Sequence, residues 1–275
     1  MKSNPFEGLD DHQPYAPQEL LAEFLGDTRR AYAKVRKVGI QRPKASLTRP
    51  SMLPELVHGG VALDAWLLTL ALEPVLAESD PIPLSVWAKL LEGEHPVSEA
   101  ATSRAFATLD RLDLIQRTHK GPHLVVRPLK EDGSKDEYTR PGAPGAEAGP
   151  GFFTIPHEYW LSGYAAKLKV PGKIALLIGL AETTEASSWE VPITRAQEWY
   201  GISERTLQRG YQELSREKLT LVHTQRIRAK RSATLHTTLY HRALVGPFST
   251  EARRNVQEKA AKDVRATKRT KPKKD

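Results

Sequence analysis

Apolar residues gather into short blocks along the chain, separated by longer polar segments. The two densest blocks, 65–71 and 175–181, are almost entirely apolar and predict short buried helices. Residues 115–129 and 219–242 are rich in strand-forming residues interspersed with polar ones, which predicts hairpins. Residues 18–37 carry apolar side chains at helical spacing and end in a basic run. The pattern therefore predicts a mainly α protein with small β-hairpins, of the α+β class.

The two densest apolar blocks each begin a similar run of sequence, which indicates an internal duplication. A proline-containing segment follows each block, at 82–85 and 191–194, and predicts a short strand that leads into a helix. Further along, Ser98-Glu99 matches Ser203-Glu204, and residue types continue to agree at the same offset. Because order and residue character agree together, we expect two copies of one structural unit.

The second copy contains the pattern of two helices joined by a tight turn. Thr194 and Gln197 have the spacing of a capping box at the start of the first helix. Gly201 permits the positive φ of a sharp turn, and Ser203 is a favoured N-cap for a helix over 204–218. Two helices joined by a short turn that contains glycine predict a helix-turn-helix.

A basic hairpin is predicted after the second helix. Its strands fall within 219–225 and 233–242, on either side of a basic segment, and 201–209 reads Gly-Ile-Ser-Glu-Arg-Thr-Leu-Gln-Arg. The order of helix, strand, helix, turn, helix and basic hairpin resembles the winged helix-turn-helix family, of which this run is typical. The first copy follows the same plan, with its hairpin over 115–129. The resemblance implies two winged-helix domains in tandem and an α-helix that enters the major groove of DNA.

Helical geometry indicates which side chains of the second copy face outward. At 100° per residue, a polar set lies away from Leu207, and its Arg and Gln residues suit the edges of guanine and adenine. The alternative is an ordinary solvated helix surface. The predicted DNA-binding residues are this set, the residues at the helix starts and the hairpin cations: Thr194, Ser203, Arg205, Thr206, Gln208, Arg209, Gln212, Arg216, Arg226, Arg228, Lys230 and Arg231.

The same face of the first copy has little of this character. Its residues are Ala100, Ser103, Arg104, Ala107 and Arg111. Arginines at this face can still hold phosphates, but the alanines offer nothing to a base edge. We therefore expect the first copy to be degenerate, with an assembly or regulatory role, or to make a weak second DNA contact.

Charge divides unevenly along the chain. The net charge is +8, and it amounts to +2 in residues 1–60, −5 in 61–150, +5 in 151–249 and +6 in 250–275. A basic second half favours a polyanionic partner, with nucleic acid first. Hydrophobic residues at 39% exclude a wholly disordered chain.

The charge and composition shifts set the expected domain boundaries. Residues 131–151 combine charge with Gly, Pro and Ala and lack any apolar period, which predicts a linker. The predicted organisation is a disordered N-terminus (1–16), a basic amphipathic helix (17–45), a first winged-helix domain (46–130), the linker, a second, DNA-binding winged-helix domain (152–248) and a basic C-terminal tail (249–275).

The sequence offers little for catalysis. It has no cysteine, no Gly-x4-Gly-Lys-Ser/Thr phosphate loop and no His-hydrophobic-His pair of nicking proteins. We therefore expect that the protein is not an enzyme and that it has no catalytic residue, no metal site and no cofactor. The N-terminus lacks a signal-peptide core, and the longest apolar stretches are far shorter than the ~20 residues that span a bilayer. We expect a cytoplasmic protein, associated with the nucleoid or a plasmid, with no membrane partner.

Three functions remain open at this point. Tandem winged helices with a weakened first copy resemble bacterial plasmid replication initiators, and residues 152–160 are similar to helix-turn-helix regulators of bacterial mobile elements. The leading expectation is a bacterial transcriptional regulator that binds double-stranded DNA, with a homodimer as a further possibility. The alternatives are a replication initiator that binds origin repeats and a winged-helix module that binds proteins. A footprint of about two DNA turns at a promoter would favour the transcriptional regulator. Binding to repeats at an origin would favour the replication initiator, and absence of salt-sensitive DNA binding would favour the protein-binding module.

Overall fold

The protein, described by a computed structural model, has mixed α and β structure with small two-stranded sheets, as the sequence predicts. The structure describes residues 13–58, 61–78, 80–121, 123–143 and 151–270, with side chains up to residue 262. The helices are α1 (Pro17–Asp27), α2 (Leu53–His58), α3 (Ala62–Ala71), α4 (Glu73–Glu78), α5 (Leu84–Leu90), α6 (Glu99–Arg111), α7 (Glu158–Leu161), α8 (Tyr164–Lys167), α9 (Val170–Glu182), α10 (Ala196–Tyr200), α11 (Glu204–Arg216) and α12 (Thr250–Thr270). The strands are β1 (Tyr32–Arg36), β2 (Ile115–Lys120), β3 (His123–Pro128), β4 (Phe152–Pro156), β5 (Thr220–Arg228) and β6 (His236–Leu244).

Helices α6 and α11 are equivalent in detail. Both have 13 residues, and each begins at a serine whose Oγ accepts a backbone N–H three residues later, over 3.2 Å at Ser98 and 3.1 Å at Ser203. Each helix is followed by a residue in the left-handed region, Asp113 with φ 57° and Lys218 with φ 56°. A hairpin then follows each, β2–β3 and β5–β6. The helix start predicted at Ser203 and the two predicted hairpins are confirmed.

The apolar blocks form the centre of the molecule. Every residue from Gly172 to Ala181 in α9 is buried, and α3 is buried at every position except Asp64. Helix α11 crosses α9 at Gly210, where a Cβ atom would lie 2.2 Å from the Pro171 carbonyl oxygen. The equivalent position of α6 is Ala105, also buried. Absence of a side chain at Gly210 thus allows the second pair of helices to approach very closely.

The two copies are joined by a sheet and by a partly buried ion pair. Strands β1 and β4, which precede the respective copies, pair antiparallel with Val35 opposite Phe153, and both side chains are buried. Lys173 of α9 donates to both carboxylate oxygens of Asp64 in α3 over 2.7 Å. Buried side chains of both copies form one continuous hydrophobic cluster. The copies therefore pack as one body.

The prediction of a helix over residues 17–45 is correct only for the first part of this range. Helix α1 ends at Asp27, and Arg29 adopts a positive φ of 53° that interrupts the helix. The residues after it form strand β1, in which Ala33 and Val35 are buried alternately with half-buried neighbours. Their pairing with β4 depends on a strand far along the chain, which the local pattern does not show.

Two smaller predictions near the helix starts are also wrong. Residues 82–85 and 191–194 form no strand; only Trp189, just before the second segment, makes a single bridge with Arg242. The capping box at Thr194 does not form, because Thr194 lies inside a 3-10 turn, and α10 begins after Arg195 without a side-chain cap.

The predicted linker is ordered over its first part. Glu131 is fully buried and accepts hydrogen bonds from the Arg36 backbone and guanidinium. Leu129 forms a bridge with Glu137, and Lys34 donates to the Pro141 carbonyl over 2.7 Å. The rest of the linker, residues 144–150, lies outside the described residues, as do residues 1–12 of the predicted N-terminus.

The beginning of the predicted basic tail is a docked helix. Arg253 of α12 is buried, and its guanidinium donates to the Thr183 carbonyl over 2.9 Å and to the Phe248 carbonyl over 2.9 Å. Gln257 donates to the Thr154 hydroxyl over 3.0 Å. The segment therefore begins as part of the body, while residues 271–275 lie outside the described residues.

Gly210→Ala should strongly destabilise the protein. The added methyl group meets the backbone carbonyl of Pro171 and the Ala175 Cβ, which cannot withdraw without moving α9. We expect a decrease of about 1–3 kcal/mol in the free energy of unfolding, measured by urea denaturation. Gly26→Ala is the matched control, because no atom lies within 4 Å of the added methyl and alanine favours a helix. A Gly210→Ala protein as stable as the wild type would contradict the close crossing.

His157 should make stability depend on pH. Burial, and secondarily the charge of Arg30, lowers the His157 pKa to about 4. Between pH 6.5 and 4 the unfolded chain binds this proton more readily than the folded one, so the free energy of unfolding falls as the pH falls through that range. Compared by denaturation at pH 7 and pH 5, His157→Phe should lose about 1–2 kcal/mol less than the wild type. Equal losses in both proteins would contradict this role of His157.

Candidate functional site

Helix α11 has two opposite faces, a polar face that is exposed to solvent and an apolar face that packs against the body. Leu207, Tyr211 and Leu214 are buried, and they turn the opposite side of the helix toward solvent. The structure places the five predicted outward residues at the surface: Arg205, Gln208, Arg209, Gln212 and Arg216. This face brings guanidinium and carboxamide groups together along one helix.

The arginines of this face differ in their surroundings. Arg216 lies 3.2 Å from Glu217 and 3.8 Å from Glu213. Arg205 and Arg209 pair with no carboxylate among the described residues. The free guanidinium charge therefore lies toward the N-terminal half of α11, whereas Arg216 is partly neutralised.

The N-terminus of α11 is fixed by its own side chains. Ser203 accepts the Thr206 backbone N–H, and the hydroxyl groups of Ser203 and Thr206 lie 2.8 Å apart. Both predicted residues therefore serve the cap. A helix N-terminus carries partial positive charge, which adds to that of Arg205 and Arg209. Thr194 is exposed but lies before α10, outside this cap.

The two strands of the β5–β6 hairpin differ in their exposure. Each strand has nine residues, and seven of them are exposed on β5, whereas β6 has three exposed residues, four half-buried residues and two buried residues. The segment 220–244 contains no Asp or Glu. The predicted cations lie at its outer end and are exposed: Arg226, Arg228, Lys230 and Arg231. An isolated two-stranded hairpin is marginally stable, so its position depends on how its base is held.

Arg242 holds the base of this hairpin against α11. Its guanidinium lies 3.9 Å from the Tyr211 ring centre, and its backbone exchanges two hydrogen bonds of 2.8 and 2.9 Å with Trp189. Burial lowers the pKa of Arg242. Arg242 is not among the residues predicted from sequence, because a lone arginine in an alternating strand carries no distinguishing pattern.

The cations of β5 share a face with this anchor. Arg242 lies opposite Val222, and Arg226 and Arg228 follow Val222 four and six residues further along β5, opposite Thr238 and His236. Because side chains alternate between the two faces of a strand, Arg226, Arg228 and Arg242 belong to one face. The basic face of the hairpin is therefore the one whose base contacts α11.

The corresponding surface of the first copy carries less free charge. Its hairpin strands have six residues, and Lys120 lies 3.4 Å from Asp80. On α6, Arg111 lies 3.7 Å from Glu55, which leaves Arg104 exposed beside alanines. The weakened character expected of the first copy extends to its charge balance.

A second basic segment escaped the sequence analysis. Residues 41–50 form a loop whose base contacts α10, although the loop precedes α2 in the chain. Its signal in the sequence is an interval, 28–54, with no Asp or Glu. The helical interpretation of 17–45 concealed this loop.

The described residues contain no cluster of three or more His, Asp or Glu side chains suited to a metal ion. Among the described helices, none is both long enough and apolar enough to cross a membrane. What α11 and the hairpin can do chemically is donate hydrogen bonds to base edges and to anionic oxygens.

In comparison with known proteins, no family model matches the chain, and no curated protein or solved structure matches it significantly. A functional assignment therefore rests on the geometry of α11 and of the β5–β6 hairpin.

Proposed function

We propose that residues 152–248 form a winged helix-turn-helix domain that binds specific sequences of double-stranded DNA, as a bacterial transcriptional regulator. Residues 46–130 form a second, degenerate unit of the same type. The observation that carries the proposal is the outer face of α11, where free arginines and glutamines lie on a helix rigidly backed by α9. An acid-free hairpin is anchored to the same helix through Arg242 and Tyr211.

In this proposal α11 lies in the major groove. Arg205 and Arg209 donate to guanine O6 and N7, and Gln208 and Gln212 pair with adenine N6 and N7. Arg216, held by Glu213 and Glu217, contributes less to reading and contacts the DNA backbone. The rigid packing of α11 supports this role, because base reading requires side chains presented in fixed positions.

The β5–β6 hairpin acts as the wing. Its outer cations contact phosphates or an adjacent minor groove, and they position the protein without reading sequence themselves. The contact of Arg242 with Tyr211 supports this arrangement, because it fixes the wing relative to α11.

The fixed packing of the two copies against each other favours a second candidate function, that of a plasmid replication initiator. Because β1–β4 and the Asp64–Lys173 pair hold the copies together, one body carries both units in a fixed relation. Such a body suits repeated origin sites with the first copy as an assembly surface. Mapping of bound sites separates the two candidates: promoter sites support a regulator, and direct repeats with origin activity support an initiator.

Arg205→Ala and Arg209→Ala should each weaken binding to the preferred duplex by about 1–3 kcal/mol and relax base preference at one position. Unfolding free energies should stay near the wild-type value, because both side chains are exposed and unpaired. The matched control is Arg104→Ala, the equivalent of Arg209 on α6, which should leave base preference unchanged. Affinities come from titrations of the preferred duplex and its single-base variants. Unaltered affinity and preference in both α11 variants would exclude α11 as the reading helix.

Neutralising the wing should weaken all DNA binding alike. A variant with Arg226, Arg228, Lys230 and Arg231 changed to Gln should bind preferred and random duplexes more weakly by similar factors. Its dependence of log K on log salt should flatten by about 0.9 for each phosphate that the variant no longer neutralises. The measurement compares both duplexes over a series of salt concentrations. If affinity falls only on the preferred duplex, the wing reads sequence and this division of roles is wrong.

A further inference from the structure

The segment between α1 and α2 is unusually rich in cations. Between residues 28 and 54 the chain has eight Lys or Arg residues and no Asp or Glu. We call residues 41–50 of this segment the basic loop. A single bridge between Gln41 and Pro50 closes it, together with a hydrogen bond of 2.8 Å from the Arg42 N–H to the Arg49 carbonyl.

Three of the five cations that lie between residue 28 and the basic loop have partners within the body. Arg30 lies 2.6 Å from Glu73, and Arg36 pairs with the buried Glu131. Lys34 donates to a carbonyl and lies 4.3 Å from the Phe152 ring centre. By contrast, Arg42 and Lys44 are exposed and pair with no carboxylate in the part of the chain that the structure describes. The loop therefore presents charge that the fold itself does not use.

The basic loop is fixed to the second copy. Gln41 donates its side-chain N–H to the Trp199 carbonyl of α10 over 3.1 Å, and the Arg49 guanidinium lies 4.5 Å from the Trp199 ring centre. A Cβ atom on Gly201 would lie 3.0 Å from the Pro50 Cβ. Gly201 is the turn between α10 and α11, two residues before the Ser203 cap. The loop thus lies beside the N-terminal end of α11.

A cleft of about 270 Å³ separates the loop from α9 and α10. Its cationic lining consists of Lys37, Arg42, Lys44 and Arg49. The one acidic group in the lining, Glu182, already accepts the Tyr200 hydroxyl over 2.9 Å. The Arg49 Nε is buried without a hydrogen-bond partner. This chemistry suits an anionic oxygen ligand such as a phosphate.

We propose that the basic loop is a further DNA contact, in which Arg42 and Lys44 bind backbone phosphates that flank the site read by α11. The inference rests on the proposed function of α11. It assigns a phosphate contact to residues outside the second copy and places it at the end of α11 where Arg205 and Arg209 lie. Bound DNA then touches three elements: α11, the wing and the basic loop. Contacts of this kind add affinity and fix orientation without adding base preference.

A paired-variant experiment measures the contribution of the loop. The variant Arg42→Ala/Lys44→Ala should flatten the salt dependence by about 0.9 for each phosphate that the loop no longer binds, and it should keep the base preference of the wild type. The charge-matched control is Lys89→Ala/Arg127→Ala, which removes two exposed cations from α5 and β3 of the first copy. The control should retain the wild-type salt dependence. Equal flattening in both variants, or none in the loop variant, would overturn the proposal.

Directed cleavage locates the loop on DNA. The chain has no cysteine, so Leu47→Cys creates a unique attachment point for an iron chelate, and Leu47 is fully exposed. On the duplex preferred by the wild type, hydroxyl radicals from this position should cut a few nucleotides at one flank of the site. The same chelate at Lys89→Cys should produce no local cleavage.

The outcomes separate this inference from the proposed function. Cleavage confined to one flank supports the basic loop as a DNA contact. Binding that depends on Arg205 and Arg209 but gives no local cleavage from position 47 overturns the loop contact and leaves the proposed function standing. If the wild type binds no duplex, both are wrong.

Discussion

The close crossing of α9 and α11 is the constraint on which the rest of the candidate site depends. At Gly210 the two helices approach so closely that no side chain fits between them. Glu213, one turn further along, accepts the backbone N–H of Lys169 over 2.8 Å at the start of α9. These contacts fix the rotation of α11 about its axis, so its arginines and glutamines have only one direction to face. The base of the β5–β6 hairpin then packs through Arg242 against Tyr211, on a helix that its contacts with α9 already position.

The second organising feature is the packing of the two copies against each other through the β1–β4 sheet and the Asp64–Lys173 pair. Had the chain been two units on a flexible linker, the segment between α1 and α2 would have no fixed relation to α11. Strand β1 instead pairs with β4. Five residues after β1, Gln41 donates a hydrogen bond to the Trp199 carbonyl of α10, which holds the following loop against this helix. The basic loop therefore lies beside the turn before α11, although more than 150 residues separate Arg42 from Ser203 in sequence. The surface beside α11 therefore combines residues from the two halves of the chain.

The elements that could be predicted from the sequence are those whose structure is set by neighbouring residues. Serine caps at Ser98 and Ser203, the periodicity of α11 and the alternation in β5–β6 are all encoded within a few residues. Prediction failed where the partner is distant: Val35 looks helical in its own window, and only Phe153 of β4 makes it part of a strand. Glu131 looks like a linker residue, and only Arg36 makes its burial favourable. The outer face of α11 was predictable from helical angles, whereas the anchoring role of Arg242 depends on a tertiary contact with Tyr211.

Selection of bound duplexes from a random pool by the full chain, followed by dimethyl sulfate protection of the selected duplex, tests the central claim most directly. The reagent methylates guanine N7 in the major groove, which is the atom that an arginine of α11 occupies when it reads guanine. The account predicts enrichment of one short motif, with guanines inside it protected in the complex. Failure to enrich any motif over the input pool, even at low salt, would contradict it.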